Sequence, residues 1–287
     1  MNSSSDLYEI KSCIEQKELK QDGYSIYYYA TGDIGKELII FLHPAFADHR
    51  CFDKQIDFFS KEFRVVTIDM LGHGLSGVGK AKDKIDTTVH HIDTILINEG
   101  YSKAHFVGVS MGSYIAQYFA LNYPYKVQSM TIVGGLDINE NNGEVKKAQR
   151  SEQIKWIVRA LFSMNSFRAY VSTQVVYTPQ EQARFYEMAS LFTRKSFTCM
   201  SGLGNILKQR DTPPGKHPLL ILVGDKDIEL AKRMSQQWHD RDPTSKFHVI
   251  GDAGHCTNMD NSDEFNRIVM SYIRQENTSM IEKMVNN

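Results

Sequence analysis

The stretch AHFVGVSMGSYIAQYFALN, residues 104–122, decides the fold. It opens as an apolar run with the composition of a buried strand, reaches Ser110 between Gly108 and Gly112, and continues with the spacing of a helix. A serine between a strand and a helix needs a sharp turn, and small residues on either side let the backbone close without clashes. A G-x-S-x-G pentapeptide alone is a weak signal; a strand before it and a helix after it give it weight.

Working outward, short apolar runs recur at 24–30, 37–42 (ELIIFL), 63–70 (FRVVTIDM), 103–109, 127–133, 219–223 and 246–250. Helical spacing fills 52–59, 84–98, 111–122 and 263–273, and a mostly polar tail at 275–287 continues or follows the last of these. Strands alternating with helices predict an α/β fold: βαβ units in a mostly parallel central sheet with helices on both faces. Ligands bind such sheets outside the carboxyl ends of the strands. One region breaks the alternation. From 137 to 210 no strand is evident, while Trp156, Ala160, Met164, Phe167 and Tyr170, then Phe185, Met188, Ala189 and Phe192, recur at helical spacing. The expected organisation is a core of residues 1–136 and 211–287 with a helical insertion at 137–210, bounded by the punctuation at 139–143 and 213–215.

Composition narrows the function. Among 287 residues, 33 Lys and Arg face 34 Asp and Glu, a formal charge of −1, which steers the chain toward neither nucleic acid nor an anionic membrane. A small molecule is the expected partner. Cys13, Cys51, Cys199 and Cys256 are scattered without a Cys-x-x-Cys pair, the habit of a reduced cytoplasmic protein. Residues 1–20 lack the apolar centre of a signal peptide, and no run suits a spanning helix. Neither HExxH, GxGxxG nor a carboxylate cluster occurs, so no metal or cofactor is expected.

A serine hydroxyl becomes nucleophilic when a base takes its proton, and that base must itself be oriented. His255, in Gly254-His255, follows the last expected strand, and Asp227 follows the strand before it. Asp225, two residues away, and Asp137, after Gly134-Gly135, are alternative acids. His43 and His73 read as loop braces, and the adjacent His90 and His91 point to different helix faces. Cys256 reads as a small buried neighbour. Arg159, Arg168, Arg184 and Arg194 read as solvated helix charge, with a carboxylate clamp as the alternative.

At these residues the chain resembles the α/β-hydrolase superfamily. The order Ser, Asp, His is the family's. Residues 69–76, Asp-Met-Leu-Gly-His-Gly-Leu-Ser, are similar to its D-x-x-G-x-G-x-S segment, and residues 123–127 to its Y-P-x-x-V. The family inserts a helical cap after the strand that follows the nucleophile helix, where the insertion falls here. The resemblance implies a Ser110–His255–Asp227 triad and an oxyanion hole from the N–H groups of Met111 and Ala45. His43-Pro44 stands where the family usually has His-Gly; proline has no N–H, which leaves Ala45 or Phe46 as the second donor. Phe46 and Trp156 are candidate substrate contacts. The implied activity is a serine esterase or lactonase acting on a small, fairly apolar substrate. A carbon–carbon bond hydrolase of β-diketones and a low-turnover ligand sensor are alternatives.

Overall fold

The computed structural model describes residues 14–80, 82–140, 143–208 and 217–285, the side chains of 144–150 and 279–285 apart. Cys13, Asn141-Asn142 and the Pro213-Pro214-Gly215 punctuation expected to close the insertion lie outside the described residues. Among the described residues, eight strands form one sheet: β1 (Glu15–Gln21), β2 (Tyr24–Thr31), β3 (Leu38–Leu42), β4 (Arg64–Ile68), β5 (Ala104–Val109), β6 (Val127–Val133), β7 (Leu219–Gly224) and β8 (Lys246–Ile250). Their order is β1-β2-β4-β3-β5-β6-β7-β8. The β1–β2 and β2–β4 pairs are antiparallel and the other five are parallel.

Every residue of β3 to β7 is buried. A parallel sheet is covered on both faces, which is why β3 and β7 read as unbroken apolar runs, while β4, β5 and β6 also bury polar residues such as Arg64, His105 and Gln128. Alternate residues supply two cores. Ile40, Leu42, Phe106 and Ile132 point to one face, and Ile39, Phe41, Val107 and Val133 to the other. β1 has a different character. Only Leu19 of its seven residues is buried, so it carries little apolar pattern and the sequence does not predict it. It joins β2 through Asp22-Gly23, with Gly23 at φ +89°, a left-handed position where glycine adds no steric cost.

Among the described residues, eleven helices surround the sheet: α1 (Asp53–Phe59), α2 (Thr88–Asn98), α3 (Met111–Asn122), α4 (Gly143–Phe162), α5 (Met164–Val175), α6 (Pro179–Ala189), α7 (Phe197–Met200), α8 (Leu203–Ile206), α9 (Glu229–Arg241), α10 (Thr257–Asp260) and α11 (Ser262–Val285). The helix expected at 84–98 starts as a 3-10 turn at Ile85–Thr87 before α2, and the last expected helix runs on into the polar tail. Between β6 and β7 the described residues hold helices α4 to α8 and no strand.

The chain runs from β3 to β4 on one side and then to β5 on the other. The sheet order therefore switches between β3 and β5, the place where such sheets open a crevice at their carboxyl ends. Leu42, the last residue of β3, is in register with Gly108. The loop starting at His43 and the turn at Ser110 are thereby set side by side.

Candidate active site

Ser110 is the single residue between β5 and α3, at φ +51° and ψ −113°. A non-glycine residue held there is strained by about 1–3 kcal/mol, and its surroundings must hold it in place. Its N–H donates to the Val133 carbonyl at 2.8 Å, and its carbonyl accepts from Ser113 N–H at 2.9 Å. The two glycines of the motif answer to space. A Cβ on Gly108 would stand 2.4 Å from the Gly112 carbonyl oxygen, and one on Gly112 would stand 2.0 Å from the Leu42 carbonyl oxygen. Substitution at Gly108 would push the first turn of α3 away from β5, and substitution at Gly112 would push it away from β3.

His255 and Asp227 meet. Asp227, just beyond β7, is buried, and its Oδ2 accepts from His255 Nδ1 at 2.9 Å. Its other oxygen accepts the Ile228 N–H at 2.7 Å. A carboxylate only accepts, so Nδ1 carries the proton and the lone pair of neutral His255 lies on Nε2. Burial disfavours the imidazolium, but the charge and hydrogen bond of Asp227 outweigh it and raise the His255 pKa above its ordinary value. The ring is seated on Gly134: a Cβ there would stand 2.7 Å from Nδ1. Because Gly134 follows the Val133 carbonyl that holds Ser110, one backbone link joins serine and histidine.

The other two aspartates do different work. Asp225 accepts the Ala253 N–H at 3.1 Å and pairs with Lys226 at 2.7 Å, bracing the loop before His255. Asp137 accepts from Asn139 and lies 3.7 Å from Arg241. Of the three, Asp227 is the one against His255.

His43 orients the loop after β3. It is fully buried, and its Nε2 accepts the Met70 N–H at 3.0 Å, so the ring proton sits on Nδ1 and donates to the Pro44 carbonyl at 2.8 Å. Burial lowers its pKa and keeps it neutral. With the Pro44 carbonyl turned to His43, the trans peptide sends the Ala45 N–H the opposite way. Phe46 follows at φ +72°, its ring buried edge to face against Trp156 (5.1 Å), Phe167 (5.0 Å) and Phe192 (4.9 Å). Of the two expected substrate contacts, Phe46 is therefore a packed strut and Trp156 is half-buried on it. Met111 begins α3, and the first-turn N–H groups of a helix have no partner within it.

The 69–76 segment is a brace. Asp69 accepts from His49 N–H (2.9 Å), His49 Nδ1 (2.8 Å), Leu75 N–H (2.9 Å) and Tyr29 hydroxyl (3.2 Å). Burial works against its ionisation, yet these donors hold its pKa below the usual carboxylate range. A Cβ on Gly74 would stand 2.2 Å from its Oδ2, and Ser76 Oγ donates to its carbonyl at 2.5 Å. Asp48, His49 and Asp69 converge closely enough to hold a metal ion. Their donor atoms are already engaged, Asp48 by the Arg50 N–H, Nε and Nη2. His73, also a brace, donates to the Leu71 carbonyl and is driven by burial to a pKa of about 3.

One tie had no sequence signal. Asp260 accepts N–H groups from Gly254 and from Tyr177 and Thr178, between α5 and α6. Cys256 N–H donates to the Val175 carbonyl at 2.9 Å. Burial raises the Cys256 thiol well above its ordinary pKa, which leaves it protonated beside His255.

Known proteins share this fold. The model of the alpha/beta hydrolase fold family matches residues 37–262. The chain is 24% identical over 269 residues to a 2-hydroxy-6-oxononadienedioate/2-hydroxy-6-oxononatrienedioate hydrolase of Burkholderia vietnamiensis, covering 87% of this chain and 91% of that one. It is 23% identical over 289 residues to Epoxide hydrolase 4 of Homo sapiens, covering 90% and 78%. A thermophilic esterase from Thermogutta terrifontis superposes with a TM-score of 0.77 at 19% identity, over 91% of this chain and 99% of that one. With the sheet order, the serine turn and the family match in agreement, this chain belongs to the alpha/beta hydrolase fold family.

Proposed function

We propose that this protein is a serine hydrolase that cleaves a small, fairly apolar carboxylic ester or lactone through an acyl-enzyme. What carries this reading is the conjunction of Ser110 at φ +51° with an imidazole that rests on Gly134 and is oriented by a buried carboxylate. His255 Nε2 takes the Ser110 proton as Oγ attacks the carbonyl carbon, and Asp227 stabilises the imidazolium that forms. The N–H groups of Ala45 and Met111 stabilise the oxyanion. His255 then protonates the leaving alkoxide and, in the second half, activates water to release the acid and regenerate Ser110.

A neutral, apolar substrate is favoured by the engagement of four arginines of the insertion. Arg159 lies over the Tyr170 ring, Arg168 donates to the Ala189 and Ser190 carbonyls, Arg184 pairs with Glu181 and Asp53, and Arg194 donates to the Ala160 carbonyl. We read helices α4 to α8 as a cap over the serine, with Trp156 on its inner side. A second reading, hydrolysis of a carbon–carbon bond in a β-diketone by the same residues, is favoured by the likeness to the Burkholderia hydrolase, whose named substrate is an oxo, hydroxy acid. A panel of short-chain esters, lactones and β-diketones tests both. Turnover of esters, reduced by about 10⁴ to 10⁶ in Ser110→Ala, supports the first; turnover confined to diketones supports the second; full activity in Ser110→Ala contradicts both.

A further inference from the structure

Helix α4 carries apolar side chains on two sides. Inward, Ala160 is buried and Trp156 packs on Phe46, next to Ala45. Outward, Ile154, Ile157, Val158, Leu161 and Phe162 are 45% to 87% exposed. Their spacing of i, i+3, i+4, i+7 and i+8 puts them in one arc of about 140°. Single exposed apolar residues are ordinary; five in one stripe mark a contact surface.

The rim of the stripe is cationic. Lys155 is exposed on the same helix, Arg159 lies 4.0 Å over the Tyr170 ring, and exposed Arg194 donates to the Ala160 carbonyl at the end of α4 beside Leu161 and Phe162. Glu152, bonded to Lys155 and Tyr170, is the one acid in this set. In sequence, α4 holds five Lys or Arg against two Glu.

We propose that the outer face of α4 docks this protein on an anionic lipid surface, so that esters dissolved in the lipid reach the serine. An apolar stripe edged by basic residues matches the boundary between acyl chains and anionic headgroups. A second copy of the chain fits less well, because a two-fold contact would set the same cationic rim against itself. The contact is peripheral: no helix of the described residues is long and apolar enough to cross a membrane. The overall charge of −1 averages this local pattern away, which is why composition alone pointed to no membrane. Docking stands independently of the proposed chemistry; only the delivery of esters rests on it.

The test is co-sedimentation of the full chain with vesicles of phosphatidylcholine mixed with phosphatidylglycerol, and with phosphatidylcholine alone. Sedimentation velocity without lipid and turnover of a water-soluble short-chain ester are measured alongside. Preferential binding to the anionic vesicles that weakens with salt is expected, with at least about tenfold less binding in the double variant Leu161→Asp, Phe162→Asp. Unchanged short-chain turnover in that variant reports an intact fold. Turnover of a long-chain ester presented in the vesicles should fall with binding. No binding to either vesicle, or equal binding by the variant, overturns the proposal. So does a wild-type dimer that the variant converts to monomer without any lipid binding. Vesicle binding by a protein that hydrolyses no ester would contradict the ester-hydrolase reading and leave the docking surface standing.

Discussion

The carboxylate of Asp260 accepts the backbone N–H of Gly254 at 3.0 Å, and the same group takes the N–H of Tyr177 (2.9 Å) and of Thr178 (2.8 Å). Gly254 precedes His255, and Cys256, which follows it, donates to the Val175 carbonyl. The histidine loop is thus tied on both sides to the segment joining α5 and α6. A Cβ on Gly254 would stand 3.1 Å from the Tyr177 nitrogen, so glycine keeps the two segments close.

Removing Asp260 should therefore loosen His255. In Asp260→Ala, kcat should fall about tenfold or more, with a smaller change in KM, because a misplaced base costs rate more than binding. Losing hydrogen bonds to a charged acceptor should also destabilise the fold by about 1.5–3 kcal/mol. Steady-state kinetics with thermal denaturation separates the two effects. Asp260→Asn keeps one accepting oxygen and should fall between; a wild-type kcat in Asp260→Ala would show the tie to be idle.

Gly134→Ala tests the seat of the imidazole. The added methyl meets Nδ1 at 2.7 Å, and the backbone there is at φ +57°. Strain of about 1–3 kcal/mol and a displaced ring should lower kcat by about 10²-fold while the fold persists. Kinetics and a circular dichroism melt check this; an active Gly134→Ala enzyme would mean the ring does not depend on that contact.

The acid limb of kcat/KM reports His255. The base acts when neutral, so activity rises with pH as His255 loses its proton. Asp227 raises that pKa, which places the limb above the ordinary histidine value of about 6.5. Asp227→Asn should move the limb to lower pH and reduce kcat by about 10⁴-fold. For stability the sign is opposite in pH: the His255⁺–Asp227 attraction contributes below the unfolded histidine pKa and is lost as pH rises through the raised folded value. A pH–rate profile of both proteins decides it; a limb unmoved by Asp227→Asn would assign the titration elsewhere.

His43→Ala should cost oxyanion stabilisation without touching the triad. It leaves the Met70 N–H without its buried acceptor, at about 1–3 kcal/mol, and frees the Pro44–Ala45 peptide to rotate. If Ala45 N–H is a donor to the oxyanion, kcat falls by about 10²- to 10³-fold with the acid limb in place. Serine reactivity that survives undiminished would remove Ala45 from the hole.

The sequence makes some of this visible and hides the rest for physical reasons. β3 and β7 are legible because burial on both faces leaves LIIFL and LLILVG without polar breaks, and β4 because its Val-Val and Ile keep an apolar, β-branched centre between Arg64 and Thr67. β1 is an edge strand with one buried residue, so its evidence lay in Asp22-Gly23, a hairpin signal outside the strand itself. The sequence hides helix α9: Ala231, Ser235 and Trp238 are its buried residues in a strongly polar segment. Ser110 and His255 stand out by their glycine neighbours. Asp225 and Asp227 do not separate by pattern, since only the turn after β7 sends one to Ala253 N–H and the other to His255. Phe46 reads as a candidate substrate contact in the loop after β3, yet its positive φ folds the ring into the aromatic cluster. Asp260 belongs to no motif, because its partners are backbone groups from distant segments.

The central claim, an activated Ser110, is tested most directly by labelling with a fluorophosphonate and mapping the modified peptide by mass spectrometry. A single stoichiometric adduct on Ser110, lost in His255→Ala, is the predicted result. A folded protein that takes no label, or takes it elsewhere, would contradict the account.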